Sequence, residues 1–329
     1  MQGAIIMSIK NQIKNFAPEW IFKTLRTLKG AIDGTWPLNR AQKKLEKLAS
    51  SETLTGQILH KMAFDRDPML TLFADKYRVR DYVTANAGSQ YLSKLHAVIE
   101  SAEELKGVEL PDEFVLKSNN GSGAMVIVTK TAPLASVLPA LQRSENWNRY
   151  LIHPNNFDIE LASKLVKTWL NQSYYYVPTR YPEWAYKNIK PVVMVEELML
   201  DEDGNLPSDY KFFMINGTCE FIKIDSTRFS DHRADLFTSN WESIPGKYQY
   251  PPSEVEIKKP ELLEEMIRVA SLLTHDVDFL RVDLYQTKDG VKFGELTNYP
   301  GGGRERFEPS HLDIRFGRKW VTNISSNPD

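Results

Sequence analysis

The chain has 329 residues, of which 42% are hydrophobic and 26% are charged, and its formal net charge is −2. This balance is typical of a globular protein and excludes a general nucleic-acid binder, which would carry a large basic surplus. The single cysteine, Cys219, excludes an internal disulfide framework and a cysteine zinc site, and it indicates a cytoplasmic protein.

The N-terminal arm is basic, with nine Lys and Arg residues against three acidic ones in residues 1–50. Within it, "APEWIFKTLRTLKGAIDG" predicts a helix that has Pro18 in its first turn and Gly34 beyond its end. Its apolar stripe is bordered by lysine and arginine. Such a helix either packs on the rest of the protein or rests on an anionic membrane surface through residues 18–34. The sequence leaves both interpretations open.

Farther along, helical and strand-like segments alternate. "EFVLKSNNGSGAMVIVTK" predicts a hairpin, residues 156–172 an amphipathic helix, and "PVVMVEELML" a buried strand. "DYKFFMINGTCEFIKIDSTR" predicts a hairpin with an Asn216-Gly217 turn, which is a strong turn signal. A helix over "KPELLEEMIRVASLLTH" and a third hairpin over "FLRVDLYQTKDGVKFGELTN" follow. These elements predict an α+β fold with largely antiparallel sheets.

The third hairpin predicts two opposed carboxylates. With a three-residue loop ending at Gly290, Asp283 lies opposite Glu295 and Arg281 opposite Thr297, all on one face. Opposed acids repel each other, unless a divalent cation such as Mg²⁺ lies between them. A two-residue turn would shift this pairing by one residue. The alternative interpretation is a solvated strand face on which Arg281 neutralises the acids.

Two further segments have polar residues at strand ends. In "LKSNNGSG", small residues such as Ser122 and Gly123 would let backbone N–H groups approach a phosphate, with Lys117 as a point charge; the alternative is a plain glycine-rich turn.

The strand "VVMVEELML" runs into Glu196 and Glu197, as expected beside an apolar slot for an adenine ring. On the next strand, Asp209 and Lys211 point the same way, suited to ribose hydroxyls and phosphate. The alternative for this segment is a hinge with a surface ion pair.

In this order the segments resemble the ATP-grasp superfamily, and in particular its TupA-like branch, which is linked to cell-surface polysaccharide biosynthesis. The resemblance covers about residues 70–315 and is carried by "FADKYRVRDYV", "FVLKSNNGSG", "WAYKNIKPVVMVEELM", "DYKFFMING" and "FLRVDLY…FGELTNYPGGG". It implies two α+β subdomains that clamp ATP. We therefore expect an N-terminal helical region over 1–70, a part with the lid subdomain over 71–195, and a C-terminal subdomain with the metal site over 196–329.

The resemblance also implies roles for individual residues. Those implied to bind the nucleotide are Lys76, Lys117, Ser122, Gly123, Glu196, Glu197, Asp209 and Lys211. Those implied to act at the transferred phosphoryl group are Arg281, Lys117 and Arg304. Asp283, Glu295 and Thr297 are the implied Mg²⁺ ligands, although many ATP-grasp enzymes have E-x-N here, and Asn298 stands one place too late for that pattern.

The activity implied is that of an ATP- and Mg²⁺-dependent carboxylate–amine ligase that forms an amide through an acyl phosphate. We expect its partners to be an amine and a small-molecule, lipid-linked or nucleotide-linked sugar carboxylate such as a uronic acid. The alternatives are an ATP-grasp kinase for a sugar or polyol, and a nucleotide-binding scaffold of glycan assembly without catalytic activity. We expect a cytoplasmic protein, with the membrane surface as the open alternative for residues 18–34.

Overall fold

The computed structural model describes residues 37–49, 52–140, 147–176, 181–226 and 232–320. The helix predicted over residues 18–34, with its membrane or packing role, lies outside these residues. None of the helices in the described ranges has the length and apolar character that crossing a bilayer requires.

Helices occupy much of the first half of the described chain and cover the sheets farther on. Their bounds are α1 Pro37–Leu48, α2 Leu54–Phe64, α3 Pro68–Ala74, α4 Val79–Asn86, α5 Ile159–Leu170, α6 Leu263–Leu272 and α7 His311–Gly317. Several begin at side-chain caps: Thr53 accepts from the Gly56 N–H before α2, and Asp158 accepts from two N–H groups at the start of α5.

Sheet A has five strands in the order β1-β5-β2-β3-β4. They are β1 Leu95–Ile99, β2 Phe114–Ser118, β3 Met125–Val128, β4 Arg149–Ile152 and β5 Val193–Glu197. The predicted hairpin is the antiparallel pair β2–β3, whereas β3 and β4 run parallel. The α5 helix packs its buried face, including Leu165 and Trp169, into the core of this sheet. The short strands β1 and β4 were not predicted.

Sheet B is antiparallel throughout, in the order β11-β10-β6-β7-β8. Its strands are β6 Asp209–Ile215, β7 Thr218–Ser226, β8 Arg233–Phe237, β10 Phe279–Thr287 and β11 Gly290–Thr297; a separate two-stranded sheet pairs β9 Lys247–Tyr248 with β12 Phe307–Glu308. The turn between β6 and β7 has Asn216 at φ 50° and Gly217 at φ 74°. Both values are left-handed, as the predicted Asn-Gly turn requires.

The two faces of sheet B differ in chemistry. One face is apolar and packs against α6 through residues such as Phe212, Val282 and Leu284. The other face is apolar only at one end, where Phe213 and Phe221 contact a core that includes α2 and α7. At the other end this second face is charged and still buried. A buried charged surface is costly unless its groups pair, so this half-face marks the functional region of the sheet.

The predicted division of the chain at residues 70 and 195 stays a prediction. The structure does show that residues of α3 and its C-terminal turn contact both sheets, because Lys76 hydrogen-bonds the hairpin of sheet A and faces Glu295 of sheet B. The charged half of sheet B and the β2–β3 hairpin of sheet A therefore meet around Lys76.

Candidate functional site

A row of charged side chains crosses four strands of sheet B. Glu295 pairs with Asp283, Asp283 with Lys211, and Lys211 with Lys223, each in direct cross-strand register. Directly opposed residues of antiparallel strands share a face. The row therefore reads acid, acid, base, base across the sheet, and the predicted opposition of Asp283 and Glu295 is confirmed.

The turn between β10 and β11 differs from the predicted one. Thr287 pairs with Gly290, so Lys288 and Asp289 form a two-residue turn, and Leu284 pairs with Phe293. A β-bulge between Asp283 and Leu284 then places Gly294 as an extra residue on β11 and restores the predicted pairing. The predicted three-residue loop was wrong, and the predicted pairing is right because the bulge compensates for the shorter turn.

Gly294 is needed at the bulge because there is no room for a side chain. A Cβ placed there would lie 2.7 Å from Tyr285 Cε2 and 3.0 Å from the Asp283 carbonyl oxygen. Both distances are shorter than ordinary van der Waals contact. The glycine thus allows the backbone of β11 to approach β10 at the point where the two carboxylates are brought side by side.

Arg281 bridges the two carboxylates. Its Nε and Nη2 donate to the two oxygens of Asp283 at 2.6 and 2.7 Å, and Nη2 also donates to Glu295 Oε1 at 2.9 Å. Arg281 and Asp283 are largely shielded from water, at 8% and 3% exposed, whereas the Glu295 side chain is partly exposed. A bidentate guanidinium–carboxylate contact is among the stronger ionic hydrogen bonds. Neutralisation by Arg281, one of the two interpretations from sequence, is therefore present in this structure.

The pKa values of the two acids are shifted in opposite directions. Burial, together with nearby Asp209, raises the pKa of Asp283 to about 6 despite the attraction of Arg281. Burial acts in the same direction on Glu295, but Lys76, Arg281 and Arg149 outweigh it and lower the pKa of Glu295 below its usual range. Glu295 is thus the more firmly ionised member of the pair.

Lys211 is enclosed by carboxylates. Its ammonium contacts Asp209, lies 2.7 Å from Asp225 Oδ2 and stands 4.0 Å from Asp283 Oδ2. The lysine is 4% exposed. In this structure it neutralises the buried acids of three strands, and the predicted roles of Asp209 at ribose and Lys211 at phosphate stay predictions.

Three cations from three elements meet beside the β2–β3 hairpin: Lys76 from the turn after α3, Lys117 from β2 and Arg149 from β4. Lys76 Nζ donates to the Gly121 carbonyl oxygen at 2.5 Å and lies 3.6 Å from Glu295 Oε2. The pKa of Lys76 is lowered, mainly by burial. Glu295 opposes this shift, whereas Lys117 and Arg149 are close enough to add to it. Three cations close enough to act on one another form a setting that suits a polyanion such as a nucleotide phosphate chain.

Arg149 was not predicted. It is exposed at the start of β4, a strand whose short sequence has no distinct period, and only the parallel pairing of β3 with β4 brings it near Glu295. Nothing in the local sequence signals this arrangement.

At the other end of the hairpin, Glu196 and Glu197 are separated by strand alternation. Glu196 is buried and accepts from Arg80 Nη1 at 3.0 Å, with Lys117 Nζ on its other oxygen at 2.5 Å. Glu197 is exposed, and its Oε2 accepts from the Lys94 N–H. The two glutamates therefore face different surroundings, and their predicted place at adenine stays a prediction.

The glycines of the hairpin tip have a packing role in this structure. Gly121 has φ +82°, and a Cβ there would lie 2.5 Å from both the Trp147 and the Tyr174 rings. Gly123 has φ +102°, and a Cβ there would meet the Trp147 carbonyl oxygen at 2.1 Å. The tip can lie against the segment at Trp147 only because both residues lack side chains. Contacts of Ser122 and Gly123 with phosphate stay predicted.

Strand alternation separates the two candidates for the third metal ligand. Thr297 Oγ1 donates to Glu295 Oε1 at 3.0 Å, on the face of the carboxylates. Asn298 is buried, and its Nδ2 donates to the Leu70 carbonyl oxygen at 2.8 Å. Thr297 is therefore the one of the two that adjoins the acid pair.

The glycine turn after β11 leads to Glu305, which was not predicted as a site residue. Gly301, Gly302 and Gly303 all have positive φ. Beyond them Arg304 is exposed, and Arg306 donates to the carbonyl oxygens of Gly303 and Glu305. Glu305, between the two arginines, lies 3.6 Å from Lys223 and acts electrostatically on Arg281. The action of Arg304 on the phosphoryl group stays a prediction.

The donor set suits a magnesium ion held jointly with phosphates. Mg²⁺ keeps several waters and takes one or two carboxylates together with phosphate oxygens. Asp283 and Glu295 supply two adjacent carboxylates, with the Thr297 hydroxyl beside them. Across the described ranges, no three His, Cys, Asp or Glu side chains are grouped as a metal site. The residues therefore fit a cation that the phosphates help to hold, rather than a cage made by protein alone.

Comparisons with solved structures find 73 matching chains. They include the ATP-grasp ligase PsnB complexed with minimal precursor, at 11% identity and TM-score 0.34, with 70% of this chain and 54% of that chain covered. They also include the D-alanine–D-alanine ligases of Bacillus anthracis (16% identity, TM-score 0.37, 71% and 60% covered) and Helicobacter pylori (12%, 0.37, 76% and 62%).

The chain thus spans only about half to three-fifths of the length of these proteins. No curated protein sequence matches it. The family assignment depends on the sequence, because the model of the TupA-like ATP-grasp family matches residues 54–321, well over half of the chain. The match includes every residue of the charged row and of the hairpin, and it confirms the predicted family and α+β fold. The chain belongs to the TupA-like ATP-grasp family.

Proposed function

We propose that the protein is an ATP- and Mg²⁺-dependent carboxylate–amine ligase that acts on a carboxylate of a cell-surface polysaccharide precursor. The observation that carries this proposal is the bridge formed by Arg281 between the opposed Asp283 and Glu295, with Lys76, which hydrogen-bonds the hairpin of sheet A, facing Glu295. Family membership supports the use of ATP. The site meets the main demand of phosphoryl transfer, which is positioning and neutralisation of spread negative charge.

We assign binding of the phosphate chain to Lys76, Lys117 and Arg149. Lys76 and Lys117 lie at the two sides of the β2–β3 hairpin, each facing a carboxylate, Glu295 and Glu196 respectively. A phosphate chain that enters between hairpin and sheet B competes with these carboxylates for the ammonium groups. Arg149 is exposed at the rim and can meet the phosphates first. Binding thereby exchanges internal ion pairs for pairs with the nucleotide.

Arg281 is the group placed to stabilise the transferred phosphoryl group. Its burial weakens solvent screening, so its charge acts more strongly here than on a surface. Asp283 and Glu295 raise its pKa, against the effect of burial, and keep it protonated. When bound, Mg²⁺ supplies charge neutralisation on the phosphate oxygens, and Asp283 and Glu295 are the residues that would hold it.

The site also has to exclude water, since an acyl phosphate hydrolyses readily. A chain of aromatic rings covers it: Trp147 lies 5.0 Å from Tyr174, and Tyr174 lies 4.8 Å from Tyr186. Tyr186 is close enough to Glu295 and Arg281 for their charges to act on its phenol, whose pKa burial raises well above its usual value. In this proposal the rings would limit the access of water to the region between the hairpin and sheet B.

The finer substrate choice is the one that the resemblance to the TupA-like family implies. A uronic acid, free or on a lipid- or nucleotide-linked sugar, would supply the carboxylate, and a second substrate the amine. We place this reaction in the cytoplasm, where ATP is available. The role of residues 18–34 at a membrane surface stays a prediction.

The experiment measures ADP release from MgATP with a panel of uronic acids and sugar-linked carboxylates, each with and without an amine. Amine-dependent ADP release with an amide product supports the ligase. A phosphorylated product formed without amine supports a kinase instead, and a protein that does not bind MgATP refutes both. Arg281→Gln is expected to lower ADP release by at least tenfold, and the exposed Arg318→Gln serves as its control. Mass spectrometry of the cell-surface glycan with and without the gene then tests the substrate class.

A further inference from the structure

We propose that Asn119 is a positioning residue that fixes Lys76 for nucleotide binding. This inference rests on the proposed function, because it assigns Asn119 a role through a lysine that we place at the phosphates. Asn119 follows β2 directly, at the start of the hairpin tip. Its side chain joins three separate segments of the chain.

The Asn119 side chain is almost fully buried, with 1% of its surface exposed. Its Nδ2 donates to Asp75 Oδ1 at 2.9 Å and to the Lys190 carbonyl oxygen at 3.0 Å, and its Oδ1 accepts from the Val192 N–H at 2.8 Å. These contacts use both donor hydrogens and the acceptor of the amide. An aspartate or a leucine of similar size cannot make this set.

The partner Asp75 organises the turn that carries Lys76. Its Oδ1 accepts from the N–H groups of Tyr77 at 3.0 Å and Arg78 at 3.1 Å, in addition to Asn119. Asp75 is 3% exposed. The carboxylate therefore holds the first turn before α4, and Asn119 holds the carboxylate.

Lys76 is attached to the same hairpin at both ends. Its backbone N–H donates to the Asn119 carbonyl oxygen at 3.1 Å, and its Nζ donates to the Gly121 carbonyl oxygen at 2.5 Å. The Nζ also lies 3.6 Å from Glu295 Oε2 on sheet B. Lys76 consequently keeps its place relative to the hairpin tip, and this place sets its distance from the acid pair.

Loss of the Asn119 amide leaves the ammonium of Lys76 chemically intact but removes the support of its turn. A long, flexible lysine then spends less time in the geometry that meets a phosphate. The effect on nucleotide affinity should therefore depend on the presence of Lys76. A purely structural role of Asn119 would lower stability and would act equally whether or not Lys76 is present.

The test is a double-mutant cycle on the full chain, with MgATP and MgADP affinities measured by titration calorimetry and Tm measured in parallel. Lys76→Met is expected to weaken binding by roughly 10- to 100-fold, the range for a lost charge-assisted hydrogen bond. Asn119→Ala is expected to weaken it roughly 5- to 10-fold alone, and less than about twofold in the Lys76→Met background. Asn120→Ala is the matched control, since Asn120 is equally buried but donates to the Gln172 carbonyl oxygen.

Should Asn119→Ala not fold, Asn119→Ser replaces it, because the small hydroxyl brings no charge next to the buried Asp75 and still removes the amide that holds it. The same factor of loss in both backgrounds overturns the inference. So does a Lys76→Met protein that binds MgATP as tightly as the parent, although the proposed function then survives. A parent protein that does not bind MgATP refutes the proposed function itself, and the inference with it.

Discussion

The substitution Gly294→Ala tests whether the β-bulge of β11 sets the register of the acid pair. The added methyl group would lie 2.7 Å from Tyr285 Cε2 and 3.0 Å from the Asp283 carbonyl oxygen. The tyrosine ring can turn aside, but the carbonyl belongs to the β10 backbone and cannot move without disturbing the pairing. The expected response is local separation of β10 and β11 at the bulge.

The size of the effect follows from two opposing contributions. Overpacking of this kind costs about 1–3 kcal/mol. Gly294 does not have a positive φ, so alanine adds no conformational strain and gains about 0.4–1 kcal/mol by restricting the unfolded chain. The net loss is about 0–2.6 kcal/mol in the free energy of unfolding, with a middle value of about 1.3 kcal/mol. In a protein of this size the middle value corresponds to a fall in Tm of roughly 3–5 °C.

Urea unfolding and Tm measure the loss of stability, and the rise in Tm on adding MgADP measures the site. Gly294→Ala should lower both quantities, because Glu295 no longer stands directly opposite Asp283. The control is Gly107→Ala, where an added Cβ has no atom within 4 Å and φ is not positive. That variant should gain about 0.4–1 kcal/mol in stability, because alanine restricts the unfolded chain without a clash, and it should keep the parent response to MgADP.

A Gly294→Ala protein as stable as the Gly107→Ala control would refute this reasoning, since the close approach of β11 to β10 would then not require glycine. A destabilised variant with an unchanged response to MgADP would separate the two claims. The bulge would matter for folding, but the alignment of the carboxylates would not matter for the nucleotide.

Three further outcomes are expected. Arg281→Met leaves the buried Asp283 opposite the partly exposed Glu295 without their shared partner, so it should lose roughly 3 kcal/mol of stability, the low end for a broken buried pair. Millimolar Mg²⁺ should raise the Tm of this variant more than that of the parent, and an equal rise would argue against a cation site there. Burial raises the pKa of the Cys219 thiol to about 12, so iodoacetamide should modify it slowly near neutral pH and rapidly in denaturant; fast modification of the folded protein would contradict its burial. Burial lowers the pKa of Lys61, but the carboxylates around it outweigh burial and raise this pKa above 10.5. The stability that the charged lysine contributes is therefore present below pH 10.5 and is lost as the pH rises through the folded-state pKa. Lys61→Met should therefore cost about 1–3 kcal/mol at neutral pH, and a difference from the parent that does not shrink in alkaline urea titrations would contradict this.

Local sequence patterns were sufficient for the hairpins and for the identity of the acid pair. The Asn216-Gly217 turn needs two left-handed residues, which few other residue pairs supply, and the structure has them. The alternation Arg281, Asp283 against Leu280, Val282 on β10 assigned the charged and apolar faces, because side chains of a strand alternate. These features depend on neighbouring residues only.

Register was harder to predict, because a two-residue and a three-residue loop both suited "TKDGV". The chain has the shorter turn and corrects it with a bulge at Gly294. A lone glycine in a strand is a recognised sign of a bulge, so this feature was open to prediction. Its position relative to Asp283 became clear only from the pairing of β10 with β11.

By itself, then, the sequence determined the family, the α+β elements and the set of charged residues on one face of sheet B. Only the tertiary structure decided which charges meet. Lys76 lies beside Glu295, and Arg149 acts on the same acid. Glu305, which was not predicted, lies 3.6 Å from Lys223. The physical reason is that local patterns report which face a side chain occupies, whereas contacts between residues far apart in the chain depend on how the two sheets and the hairpin pack together.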